Sequence, residues 1–173
     1  MHIVVTGSIG VGKSTVCRKV IYICRGKGYV CGGVLTFKDA TGDIILEDVS
    51  SGTKIIFASC QPEFTGLQVG KYYFNPDSVA LGNNILEKQS GSPIFIIDEI
   101  GPLELESKGF TGAVNLINKK KTGCCITVIR KSLLSSFLPM FEEAPVVFEI
   151  TLENRDVMPV QVYEQLSESM KPT

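Results

Sequence analysis

Residues 7 to 15 read Gly7-Ser8-Ile9-Gly10-Val11-Gly12-Lys13-Ser14-Thr15, and this string constrains the fold more than any other feature of the chain. It fits G-x-x-x-x-G-K-[ST] through Gly7, Gly12, Lys13 and Ser14, with a further hydroxyl at Thr15. A β-branched run, His2-Ile3-Val4-Val5-Thr6, leads into it, and Val16, Lys19, Val20 and Ile23 follow at helical spacing. Strand, glycine loop and helix in succession turn backbone N–H groups and a helix N-terminus toward one point, where they can cradle phosphate oxygens. Glycine allows the close approach and the positive φ angles such a loop needs. Lys13 is expected to reach the β- and γ-phosphates, and the Ser14 hydroxyl to ligate magnesium.

At 173 residues the chain is expected to form one domain, residues 1–173. A hydrophobic fraction of 44% and a charged fraction of 20% are those of an ordinary globular protein. The net charge of -1 gives no electrostatic footprint for nucleic acid or an anionic membrane, so neither is expected as a partner. Lys119-Lys120-Lys121 precedes Thr122-Gly123 and reads as the basic end of a helix. No apolar run is long enough to cross a bilayer, and no leader peptide is read at the start. The six cysteines form no C-x-x-C pair; Cys17 and Cys24, seven apart on one helix, read as core residues. A cytoplasmic, monomeric protein with reduced thiols is the expectation. His2 reads as a side chain decorating the first strand.

Further along, Tyr29 to Thr36 reads as a strand interrupted by Gly32-Gly33. Asp43 to Val49 and Lys54 to Ala58 flank Ser50-Ser51-Gly52-Thr53, a hairpin signal, and Lys71 to Phe74 adds a short strand. Asn75-Pro76 would stop that strand, with a helix starting at Asp77 or Ser78. Pro93 to Glu99 is an apolar run, the signature of a strand buried on both faces. A helix over 107–121, a strand over 124–129, a helix over 132–141, a strand over 146–150 and a helix over 160–170 complete the pattern. The alternation predicts an α/β fold with a mainly parallel sheet flanked by helices, and an antiparallel insertion over about 43–74.

The buried run ends in Asp98-Glu99, followed by Ile100 and Gly101, all four taken as candidate nucleotide-binding residues. Strand carboxyl ends share one edge of a parallel sheet with the phosphate loop. Asp98 is therefore expected at the magnesium, with Glu99 orienting or deprotonating a water that attacks the γ-phosphate. Glu104 either supports these acids or begins the next helix.

The combination of GSIGVGKST, DEIGPLEL and Thr151-Leu152-Glu153-Asn154-Arg155-Asp156 resembles the THEP1-type nucleoside-triphosphatase family, and the likeness, including VGKYYF at 69–74, runs over nearly the whole chain. The resemblance implies a RecA-like P-loop core and slow, magnesium-dependent hydrolysis of several nucleoside triphosphates (ATP, GTP, CTP, UTP) to diphosphates. It also favours Asn154 and Arg155 as residues bracketing the nucleobase; a turn-capping Asn and a surface Arg are the alternative. The chain departs from the family where Gly33-Val34-Leu35-Thr36 is followed by Phe37-Lys38-Asp39 rather than an acidic pair and an arginine, and Leu103 stands where methionine is common. Arg130 and Lys131 read either as a source of charge for the γ-phosphate or as an exposed strand-end pair.

Two other functions share these motifs. A small-molecule kinase would pass the phosphoryl group to a hydroxyl, but Arg18, Arg25, Arg130 and Arg155 are scattered and form no arginine-rich lid. A nucleotide-dependent switch would need the same site and hydrolyse slowly.

Overall fold

The computed structural model describes residues 1–106, 108–119 and 123–170. The strands are β1 (His2–Gly7), β2 (Cys31–Lys38), β3 (Ile44–Asp48), β4 (Lys54–Ser59), β5 (Gln68–Val69), β6 (Tyr72–Phe74), β7 (Ile94–Ile100), β8 (Cys124–Arg130) and β9 (Val146–Ile150). They form one sheet in the order β5-β6-β4-β3-β2-β7-β8-β1-β9. The half running from β2 through β7, β8 and β1 to β9 is parallel, and the half from β2 to β5 is antiparallel. The segment read as an insertion thus extends the sheet past β2.

Alternation along the central strands builds two cores. Ile3 and Val5, Ile94 and Ile96, and Ile126 and Val128 face one layer, closed by Val16, Val20 and Cys24 of α1 (Lys13–Gly26) and Val162 and Leu166 of α6 (Met158–Ser169). Val4, Phe95, Ile97 and Ile129 face the other, closed by Ile85 and Leu86 of α2 (Pro76–Gln89), Ile117 of α4 (Ala113–Lys119) and Phe137 of α5 (Leu134–Phe137). A strand covered on both faces has no polar face, which is why β7 reads as a continuous apolar run until its acidic end. Cys17 and Cys24 are fully buried, as their spacing suggested. His2 is buried as well, its ring centroid 6.2 Å from that of Phe141. Among the described residues no helix is long and apolar enough to cross a membrane.

Several element boundaries differ from the sequence reading, each for a local reason. The helix α2 starts at Pro76, because Asn75 is its cap: the Asn75 side chain accepts from the Asp77 N–H at 3.0 Å, and proline is favoured in the first turn. Of the helix expected over 107–121 only α4 forms, and a separate helical turn, α3 (Pro102–Leu105), precedes the expected range. Between them Phe110 leaves helical register to stack on Phe57 at 5.4 Å, over the space left by Gly82. Lys119 ends α4, whereas Ser107, Lys120 and Lys121 lie outside the described residues. The helix expected over 132–141 is a single α-turn between two 3-10 turns, the second carrying Pro139, which lacks the N–H a continuing helix requires. The short β5 was not anticipated, and α6 begins at Met158, ahead of Val160.

The Gly32-Gly33 pair does not interrupt β2. Gly33 lies opposite Ile96 of β7 at φ +106°, and a Cβ there would run into the Ile96 carbonyl. The glycine lets β2 approach β7 closely, and its N–H donates to the Gln89 side chain at 2.7 Å. Gly33→Ala is expected to destabilise the fold by about 2–4 kcal/mol, combining backbone strain with overpacking. Gly91→Ala, where an added Cβ meets nothing within 4 Å, should change stability by less than about 0.5 kcal/mol. Urea denaturation of both variants checks this, and equal midpoints would contradict it.

Candidate active site at the carboxyl edge of the sheet

The five parallel strands end on one edge, and every charged side chain of interest stands there. Gly7, last residue of β1, sits between Arg130 of β8 and Ile150 of β9. A Cβ on Gly7, at φ +148°, would fall 2.5 Å from the Ile150 carbonyl oxygen and 3.1 Å from Val11, so only glycine lets the chain turn there into the loop. Ser8, Ile9 and Gly10 form the exposed tip, Val11 and Ser14 are half-buried, and Thr15 is exposed. Lys13 is buried, its ammonium donating to the carbonyls of Gly7 at 3.2 Å and Ser8 at 3.0 Å. No acidic residue occupies the first turn of α1, so the positive end of that helix is left for an anion.

Opposite the loop stands Asp98, 1% exposed, and neither of its oxygens accepts a hydrogen bond of ordinary geometry. Burial pushes its pKa up to about 7; the nearby Ser14 hydroxyl pulls it down, the Glu99 charge adds to the rise, and Lys13 and the Thr36 N–H oppose it. The Asp98–Glu99 peptide is cis, and the β7–β8 pairing passes from Ile97↔Thr127 to Ile100↔Ile129 around it. Glu99 turns instead toward β8, where the Arg130 Nε donates to its Oε1 at 2.5 Å.

Asp98 is an orphaned buried carboxylate beside a hydroxyl. Among the described residues no group of three or more His, Cys, Asp or Glu could hold a metal ion. The Ser14 hydroxyl and the Asp98 carboxylate are oxygen donors of the kind a hard cation such as magnesium takes.

Glu104 does both things the sequence left open. It sits in the first turn of α3, and it ties the loop behind the acids: Oε2 accepts from the Gly101 N–H at 2.7 Å and Oε1 from the Phe110 N–H at 2.8 Å. Burial raises its pKa, and those two N–H groups oppose the rise.

The last loop separates its two candidates. Asn154 spends its amide inside the turn, accepting from the Thr151 N–H at 2.8 Å and donating to the Glu149 carbonyl at 2.9 Å. Arg155 is exposed, and its Cδ lies 3.6 Å from the position a Cβ on Gly12 would take, so it borders the phosphate loop. Beside it a groove of about 470 Å³ runs between α1 and α6, with Tyr22, Pro159 and Val160 as walls and a Lys19–Asp156 ion pair at 3.3 Å on its rim. Sequence reading did not find this groove, because its walls come from helices more than a hundred residues apart.

Lys131 pairs with Glu149. The segment that departs from the family pattern ties α1 to the antiparallel strands. Phe37 lies under the Arg18 guanidinium at 4.5 Å and near Lys54 at 5.7 Å, and Glu47 pairs with both cations. Asp39 caps its own turn through the Thr41 N–H at 2.9 Å.

Glu104→Gln is expected to cost about 1–3 kcal/mol, because an amide aims its NH2 at one of two backbone donors that a carboxylate satisfies together. Urea denaturation measures it; unchanged stability would mean that Glu104 does not hold the loop.

A family model described as NTPase matches residues 2–163. The nucleoside-triphosphatase THEP1 of Methanopyrus kandleri is 29% identical over 174 residues, covering 96% of each chain. That of Sulfolobus acidocaldarius is 32% identical over 169 residues, covering 91% of this chain and 88% of its own. The crystal structure of THEP1 from the hyperthermophile Aquifex aeolicus superposes with a TM-score of 0.74 at 30% identity, covering 96% of this chain and 99% of that one. With its fold and phosphate-loop motif, these likenesses show that the chain belongs to the THEP1-type NTPase family.

Proposed function

We propose that this nucleoside-triphosphatase hydrolyses ATP, GTP, CTP and UTP to the diphosphates and phosphate, with magnesium and broad tolerance of the base. The observation that carries the reading is the convergence of Lys13, Ser14 and the buried Asp98 at the mouth of the phosphate loop. The loop amides of residues 7–15 hold the phosphates, and Lys13 exchanges the Gly7 and Ser8 carbonyls for phosphate oxygens. A magnesium ion held by Ser14 and Asp98 would neutralise charge on the transferring group. Glu99 takes a proton from the attacking water as its oxygen bonds to the γ-phosphorus and the bond to the diphosphate oxygen breaks.

Broad base tolerance is supported by what borders the loop. Arg155 and the apolar groove offer stacking surfaces, which every base can use, while the Asn154 amide is committed to its turn. A kinase reading finds less support. Arg18 is engaged by Phe37 and Glu47, Arg25 donates to the Val49 carbonyl and Arg130 to Glu99, which leaves no arginine-rich lid among the described residues. We take the chain to act as a cytoplasmic monomer, one domain with its antiparallel segment included.

Phosphate release from the four triphosphates, with magnesium and no added acceptor, is the direct test. Release from all four, abolished by chelating the metal, is expected; diphosphate formed only when an acceptor hydroxyl is supplied, with the phosphoryl group found on that acceptor and no free phosphate, would establish a kinase. Lys13→Ala should lose tight triphosphate binding by calorimetry while remaining folded, and unchanged affinity would refute the role of the loop. Arg155→Ala should weaken all four triphosphates alike, by about 0.5–2 kcal/mol. A loss confined to one base, or none, would remove Arg155 from the base contact.

A further inference from the structure

Arg130 is the last residue of β8, and its backbone pairs beside Gly7, where the phosphate loop begins. On the other side of β8 runs β7, whose end carries Glu99. The Arg130 Nε donates to Glu99 Oε1 at 2.5 Å, and the guanidinium makes no other hydrogen bond or ion pair with the described residues. The second Glu99 oxygen likewise accepts nothing from them. Both side chains are partly exposed, 38% for Arg130 and 23% for Glu99, at the open edge of the sheet.

We propose that Arg130 is a positioning residue for hydrolysis: it grips one oxygen of Glu99 through Nε and so directs the other oxygen at the attacking water. This rests on Glu99 being the base. The physical need is clear from the surroundings. Glu99 has neighbouring carboxyls in Asp98 and Glu104, which act on it by repulsion, and a flexible three-torsion side chain that would otherwise swing into solvent. One planar N–H···O bond to a charged partner fixes the carboxylate in place and balances its charge, while the water-facing oxygen stays unblocked. A base misplaced by about 1 Å costs roughly 10²-fold in rate, so the grip is felt in the chemical step and not in nucleotide binding.

The test is a double-mutant cycle on the full chain, with ATP and magnesium, reading single-turnover hydrolysis beside equilibrium affinity. Arg130→Ala should slow turnover by about 10²-fold with affinity unchanged, and Arg130→Lys should recover part of the rate. In a Glu99→Gln background Arg130→Ala should cost nothing further, because the residue it acts through is already disabled. A further loss in that background would show Arg130 acting directly on the phosphate and overturn the inference. Normal turnover in Arg130→Ala beside slow turnover in Glu99→Gln would overturn it alone. Normal turnover in Glu99→Gln would overturn the base assignment and the inference with it. Should Arg130→Ala fail to fold, Arg130→Gln, which keeps bulk and an N–H but no charge, takes its place and should lose rate in the same pattern; a wild-type rate there would count against the inference.

Discussion

Asp98 closes the apolar run of β7 with a carboxylate that is 1% exposed and accepts no hydrogen bond of ordinary geometry, and the rest of the molecule is arranged around that fact. A buried charge without a partner is costly, on the order of several kcal/mol, and burial accordingly drives its pKa up. Such a group persists where the fold holds its backbone firmly and a ligand relieves the cost. The sheet supplies the first condition: β7 lies between β2 and β8 in parallel pairing, with Phe95 and Ile97 on one face and Ile94 and Ile96 on the other, all fully buried. The facing phosphate loop supplies the second, with Ser14 and Lys13 close enough to act on the Asp98 charge.

Stability and function are divided between the two faces and one edge. The helix α1 closes one core through Val16, Val20 and Cys24 while its first turn carries Lys13 and Ser14, so packing at one end of the helix sets the position of the phosphate-binding end. Arg25 near its other end donates to the Val49 carbonyl, and Arg18 packs on Phe37. These contacts anchor the same helix to β2 and to the loop after β3. The antiparallel half of the sheet therefore braces the site from the side although none of the candidate site residues lies on it.

What could be read in the sequence was what is local in the chain. The phosphate loop, the apolar run into Asp98-Glu99 and the parallel strands each declare themselves within about ten residues, and the structure has a strand and helix around the loop and a strand at each of those runs. What escaped depends on partners far along the chain. The Arg130–Glu99 contact spans thirty-one positions, and sequence alone left Arg130 between two roles. The helix expected over 107–121 forms only from Ala113, and ahead of it Phe110 packs on Phe57, a contact no local pattern reveals. Asn154 had the right chemistry for a base contact, yet a three-residue spacing to Thr151 lets it close its own turn first. Phe37-Lys38-Asp39, which breaks the family pattern, became intelligible only once Arg18, Glu47 and Lys54 were seen around it.

The central claim, that Asp98 is kept bare for a cation arriving with the nucleotide, is tested most directly by thermal melting of wild type and Asp98→Asn, each without ligand, with nucleotide, and with nucleotide plus magnesium. Without ligand the variant should melt no lower than wild type, because it removes an uncompensated buried charge. Magnesium added to nucleotide should raise the wild-type melting temperature further and leave the variant where nucleotide alone put it. A variant that is destabilised without ligand and still gains the full magnesium increment would contradict the account.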